Sequence, residues 1–221
     1  IGAFFGQEYG NNVFSGNLVI SNTSSALFYS NTFSGNVYSN TFSGIVYRNT
    51  FSGGSVYNNT FSGNVNNNTF SGDVYYNTFS GSVYSNTFSG YVYRNTFSGS
   101  VNNNTFSGNV YSNTFSGYVN NNTFSGNINS NTFSGEVYSN TFSGNVNNNT
   151  FSGNINSNTF TYTGQLIDVT IVDDLQSKTI DDLTYPFLFN TLYKKELLKA
   201  SNGNNYIRYF DGTADVNTLI P

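Results

Sequence analysis

From Asn31 to Gly153 apolar and polar positions follow a nine-residue unit, Asn-Thr-Phe-Ser-Gly-x-Val-(Tyr/Asn)-x. Its first five residues occur fourteen times, with one ten-residue step at Gly54. Numbering the unit from its Asn, Phe at position 3, Gly at 5 and Val at 7 share one face of an extended chain. Thr at 2, Ser at 4, position 6 and the Tyr or Asn at 8 share the other, because successive side chains of a strand point to opposite faces. Position 6 accepts Asn36, Ile45, Asp73, Tyr91, Ser100 and Glu136, which assigns it to solvent; position 7 is Val or Ile in every copy. Self-similarity at a short fixed period marks a chain that stacks identical turns. Worn copies extend the array back through Asn12 to Leu18 and Asn22 to Ser30, and it closes at Asn158-Thr159-Phe160.

The pattern predicts one strand of about six or seven residues per unit, with a corner at positions 9 and 1. Asn suits a corner, since its side chain bonds nearby backbone and it tolerates the left-handed conformation. Stacked at ~4.8 Å, the position 1 residues would form a ladder of side-chain amides. The inward ring stack would comprise Phe33, Phe42, Phe51, Phe61, Phe70, Phe79, Phe88, Phe97, Phe106, Phe115, Phe124, Phe133, Phe142 and Phe151. Two readings fit the Gly: it leaves inward space for a neighbouring Phe, or it marks a turn after Ser.

A second period overlies the first, with Tyr57, Tyr84, Tyr111 and Tyr138 recurring at every third unit. Three nonapeptides per turn would superpose these tyrosines on one face of a triangular prism; duplication of a three-unit block is the other explanation. The predicted fold is therefore all-β: a β-helix or β-solenoid of nonapeptide repeats, triangular with three nonapeptides per turn, plus a small C-terminal β-rich domain. A single winding chain and three intertwined chains share this periodicity. A two-sided roll with two nonapeptides per coil also fits it.

Composition narrows function. The chain has no Cys, His, Met or Trp, which removes thiolate chemistry, the usual neutral-pH general base and the commonest metal ligand. The expectation is a non-enzyme with no catalytic residues, no cofactor and no metal site. A net charge of −4, with Arg48 and Arg94 alone as cations in the array, argues against nucleic acid as a partner. No apolar run approaches the ~20 residues of a membrane span, and no signal peptide is visible. With no Met, Ile1 is expected to follow a processing site or to begin a fragment.

Thirteen of the eighteen charged residues lie between Thr161 and Pro221. This divides the chain into an N-terminal cap or remnant (1–11), a repeat shaft (12–160) and a small tip or capping domain (161–221). In the tip, Leu166 to Val172 reads as a strand, Tyr193 to Lys199 as a short helix or strand, and Asn205 to Phe210 as a strand after the turn Ser201-Asn202-Gly203-Asn204. Val216 to Pro221 is a last strand or tail. Asp173-Asp174 and Asp181-Asp182 read as solvated acidic turns, since adjacent strand residues diverge and no partner base accompanies them.

Outward tyrosines near the start of the shaft are the candidate binding residues. Tyr38, Tyr47, Tyr57, Tyr75, Tyr76, Tyr84, Tyr91 and Tyr93 could stack on sugar rings and hydrogen-bond through their hydroxyls. The competing reading is a cross-strand aromatic ladder that stiffens the shaft.

Closely spaced Asn-x-Phe-x-Gly runs rich in Tyr, from Asn12 to Phe160, resemble the repeat shafts of tail-fibre proteins from phages of Bacteroidetes-type bacteria. Short repeats with a Val and a Gly in each are also similar to the triple-stranded β-helical needles of contractile-tail phages. The resemblance implies a structural, adhesive protein of the virion tail, extracellular and homotrimeric. It would attach to a host surface glycan or protein receptor and join other tail or fibre proteins on its N-terminal side, without membrane insertion. Asn31-Thr32-Phe33-Ser34-Gly35 is also similar to the half-coil of grass proteins that inhibit ice recrystallisation. That likeness implies an ice-binding face built from the Thr32, Thr41, Thr50 rank.

Overall fold

The computed structural model describes residues 8–16, 18–19, 23–153 and 155–160, together with the strands 170–171, 189–190, 195–199, 205–210 and 215–220. Each nine-residue unit forms two strands of two residues, not one of six or seven. In a representative unit these are Thr105–Phe106 and Val110–Tyr111. Two bends separate them. One is the Ser-Gly-x segment; the other is position 9, where every described residue from Asn11 to Ser157 takes a left-handed φ between 51° and 57°. The predicted corner is present, but its left-handed residue is position 9, even where that is Arg48 or Tyr76.

The strands build four parallel sheets of eight or nine strands. Sheet I begins Glu8–Gly10, Leu27–Tyr29, Val46–Tyr47; sheet II begins Val13–Phe14, Thr32–Phe33; sheet III begins Leu18–Val19, Val37–Tyr38; sheet IV begins Thr23–Ser24, Thr41–Phe42. The chain visits them in the order I, II, III, IV and returns. Phe33 pairs in register with Phe51, and Phe51 with Phe70. A coil therefore holds two nonapeptides, lengthened by a single residue where Gly54 is inserted.

The expectation of three nonapeptides per turn and a triangular section is corrected to two per turn and a four-sided section. Each unit already supplies two strands and two bends, so two units close the circuit. The three-unit tyrosine period is one and a half coils and alternates sides: Tyr57 and Tyr111 lie in sheet III, Tyr84 and Tyr138 in sheet I. All these pairings occur within one chain, which closes its own coil without intertwining.

The predicted Phe core is present as two stacks. In sheet II, Phe88, Phe106 and Phe124 lie 4.8 and 4.7 Å apart with rings 3° from parallel. In sheet IV, Phe97, Phe115 and Phe133 repeat this at 4.8 and 4.7 Å. The two stacks meet edge to face, as Phe115 does with Phe124 at 6.5 Å and 87°; both geometries are favoured by the ring quadrupole. These rings and the position 7 Val or Ile residues from Val37 to Val146 are buried, each side chain contributing about 1.5–3 kcal/mol of apolar transfer.

Beside each Phe stack runs a ladder of buried Asn at position 1. Asn104 Oδ1 accepts the backbone N–H of Asn86 at 2.8 Å and its Nδ2 at 3.0 Å. Asn104 Nδ2 donates to Asn122 Oδ1 at 3.0 Å, Val83 O at 2.9 Å and Asn102 O at 3.0 Å. The side chain is almost sealed from solvent with its amide satisfied, the condition for burying a polar group without large cost. Position 6 adds a lesser ladder, as Asn109 Oδ1 accepts the N–H of Asn127 at 2.9 Å and Asp73 Oδ1 that of Tyr91 at 2.9 Å.

Neither expectation for the glycine describes its main constraint. A Cβ at Gly108 would run into the carbonyl oxygen of Gly90 in the preceding coil, so Gly is required by close backbone approach along the rod.

Beyond the array, Thr170–Ile171 pairs in parallel with Thr150–Phe151 and extends sheet IV. A separate antiparallel sheet orders Phe189–Asn190, Lys195–Lys199, Asn205–Phe210 and Asp215–Ile220. Of the two readings of 193–199, the strand is the one observed. Asp173, Asp174, Asp181 and Asp182 lie outside the described residues.

Candidate functional site: a tyrosine face

Position 8 is outward and half-buried to exposed, and in sheet III it carries Tyr in five consecutive coils: Tyr38, Tyr57, Tyr75, Tyr93 and Tyr111. Parallel in-register pairing forces this column, since each Tyr follows a core Val that fixes its strand. Tyr38 and Tyr57 stack at 4.9 Å and 9°, Tyr57 and Tyr75 at 5.1 Å and 4°.

Below Tyr75 the face changes character. The left-handed corner turns Tyr76 outward, where it meets Tyr75 and Tyr93 edge-on at 5.8 and 5.9 Å. Arg94, on the same corner one coil later, sits 4.9 Å above the Tyr93 ring and 5.6 Å from that of Tyr76. Its Nη1 donates to the Tyr76 hydroxyl at 2.7 Å. Tyr91 packs near Tyr111 at 6.4 Å. Asp73, Tyr75, Tyr91, Tyr93 and Tyr111 line a surface depression of about 260 Å³.

Electrostatics follow from this packing. The Tyr57 phenol is pushed above its ordinary value, first by desolvation within the stack and then by the neighbouring Tyr38 and Tyr75 phenols. The Arg94 guanidinium is pushed further up, first by its hydrogen bond to Tyr76 and then by the Tyr76 and Tyr93 phenols, so it stays charged. Arg48 makes a similar contact above Tyr47, at 4.9 Å, on the other side of the rod.

Six of the eight candidate tyrosines, Tyr38, Tyr57, Tyr75, Tyr76, Tyr91 and Tyr93, therefore share one face. Tyr47 and Tyr84 do not; they belong to sheet I, half a coil away. Tyr111, Arg94 and Asp73 join the face without having been expected there. A two-unit step continued from Tyr75 through Tyr93 would have found Tyr111, and Arg94 stands two units after Tyr76. Among the described residues no three His, Cys, Asp or Glu cluster as metal ligands, and no helix is long and apolar enough to cross a membrane.

No protein-family model, no curated protein and no solved structure matches the chain.

Proposed function

We propose that the chain is a structural and adhesive fibre protein of phage tail-fibre type, a rigid β-solenoid shaft that carries binding residues on its surface and performs no catalysis. The observation that carries this reading is the division of each coil into inward positions that barely vary and an outward tyrosine column five coils long. Stacked Phe rings and amide ladders resist bending and slippage, as in other cross-stacked β structures. The Tyr75 to Tyr111 depression, with an Arg and an Asp beside it, has the flat rings and polar handles that suit a glycan.

Homotrimerisation in this reading bundles three closed rods rather than intertwining them. The partners are a host-surface glycan or protein receptor and, towards the N-terminal side, other tail proteins of a virion. The test is binding of the purified chain to polysaccharide from candidate host cells. Tyr75→Ala with Tyr93→Ala should abolish binding while leaving the far-UV spectrum unchanged. Unchanged binding, or cleavage of the polysaccharide, would overturn the reading.

A second reading, ice binding, is favoured by one observation. Thr pairs with Thr in register along sheets II and IV, for example Thr87–Thr105–Thr123 and Thr96–Thr114–Thr132, giving two ranks at a regular ~4.8 Å spacing. Thermal hysteresis lost on Thr105→Lys and Thr123→Lys would establish it over the fibre.

A further inference from the structure

On sheet I the position 8 column runs Tyr84, Asn102, Asn120, Tyr138 in consecutive coils. Sheet III carries rings from Tyr38 to Tyr111 and then the amides Asn129 and Asn147; on sheet I two amides lie between two rings. The column is left with a notch whose bounding tyrosines stand three coil steps, about 14 Å, apart. Ser100, Tyr118 and Glu136, all at position 6, form its side, and with Asn102, Asn120 and Tyr138 they line about 230 Å³. Tyr118 and Tyr138 are 57% and 44% exposed.

The floor of the notch is unusual within this rod. Oδ1 of Asn102 and Oδ1 of Asn120 are both sealed from solvent and have no hydrogen-bond partner. Buried polar atoms are nearly always paired, and an acceptor without a donor is unfavourable. Asn104, at position 1 of the same coil, satisfies its Oδ1 twice over, so the two orphans are not a general property of the asparagines. The χ2 torsion of Asn is broad, which lets either amide turn its oxygen towards a donor that enters the notch.

We propose that this notch is a saccharide site that takes one neutral pyranose ring. Two acceptors require two donors, and sugar hydroxyls supply them. One coil step of ~4.8 Å separates the two amides, close to the separation of equatorial hydroxyl oxygens set 1,3 on a pyranose. The exposed Tyr118 and Tyr138 rings offer apolar surfaces to the C–H face of the sugar, and Glu136 accepts from a further hydroxyl. The lining contains a carboxylate and no cation, which selects against acidic sugars. The volume is below the ~300 Å³ at which pockets for drug-sized ligands begin, which suits a single ring. The notch lies half a coil from the tyrosine face and does not depend on the fibre reading.

The test is titration of the isotope-labelled full chain with the methyl glycosides of glucose, galactose, mannose and N-acetylglucosamine, followed by nuclear magnetic resonance. Saturable shifts of the Asn102 and Asn120 side-chain amides are expected with at least one glycoside. Asn102→Tyr with Asn120→Tyr fills the notch with a ring column of the kind sheet III already carries, and should abolish the saturable shifts of the backbone amides of Tyr118 and Glu136, which line the same notch and remain in the variant. Tyr118→Ala, at an exposed position, should weaken binding about tenfold and serves as the second variant if the filled column disturbs the coil. Tyr57→Ala should change nothing at these amides. Absence of saturable shifts with all four glycosides would overturn the proposal, as would binding that survives both the filled notch and Tyr118→Ala.

Discussion

Asn102 and Asn104 are near neighbours in the same coil and have opposite surroundings. Asn104 lies inside, accepting two hydrogen bonds and donating along the rod to Asn122; Asn102 faces outward, and its Oδ1 has no partner. Residue type is identical, so position in the nine-residue unit alone decides the role. Position 1 carries the stability of the stack, and position 8 is free to vary between Tyr and Asn and so to shape the surface. The inner wall is held uniform by its neighbours above and below, while the outer wall holds what distinguishes one coil from the next.

The largest expected break of this contrast is Asn104→Asp. It removes the amide donor and aims the second carboxylate oxygen at Asn122 Oδ1 and the Val83 carbonyl, so that only the oxygen facing Asn86 keeps its donors and a buried charge is left half-satisfied. A loss of about 3–5 kcal/mol is expected. Burial raises the pKa of the new acid, so the loss should be smaller in acid, where the folded chain holds the group protonated, and complete at neutral pH. Denaturant melts at the two pH values check this.

Phe106→Ala should cost about 3–5 kcal/mol, since it takes a ring from the middle of the sheet II stack. Damage should remain within adjacent coils, because each repeat touches only its neighbours. Tyr111→Ala, an outward change, should cost below about 1 kcal/mol. Equal shifts in melting temperature would contradict the inside and outside assignment. Asn104→Ala strands the Asn86 N–H and Nδ2 inside and should lose about 2–4 kcal/mol. Asn102→Ala should stay within about 0.5 kcal/mol of the parent.

The smallest effect concerns the tyrosine column. The folded chain holds the Tyr57 proton more tightly than the unfolded chain does, because the phenol is pushed above 10.0. Its contribution to stability is therefore complete below pH 10.0 and is lost as the pH rises through the folded-state value. Melting temperature followed into alkali should fall less for Tyr57→Phe than for the parent.

Much of the interior was legible in the sequence. Phe at 3 and Val at 7 announce their inward face by invariance and alternation, and the amide ladder follows from an Asn repeated at one position of a stack. The number of units per turn was not legible, because periodicity at nine is equally consistent with two or three units per coil. The closure is set by backbone angles, above all the left-handed φ at Ser112 and its equivalents, where Ser, Arg, Asn and Tyr give no common signal. The tyrosines recurring at every third unit pointed to one face for the same reason, and the pairing registers place them on two. The tyrosine face was partly legible: the tyrosines themselves were identified, but their division between sheets I and III required the coil length.

Coil length is therefore the claim to test most directly, and the absence of native Cys makes disulfide mapping simple. Ser107 and Ser125 follow the paired residues Phe106 and Phe124 and lie one coil apart, within the Cα separation of ~4.4–6.8 Å that a disulfide spans. Ser107 and Ser134 are separated by three units of sequence and follow Phe residues of different sheets. Under mild oxidation, Ser107→Cys with Ser125→Cys should close an internal disulfide that runs as a monomer on a denaturing gel, while Ser107→Cys with Ser134→Cys should not. Ready closure of the three-unit pair together with failure of the two-unit pair would contradict the four-sided coil.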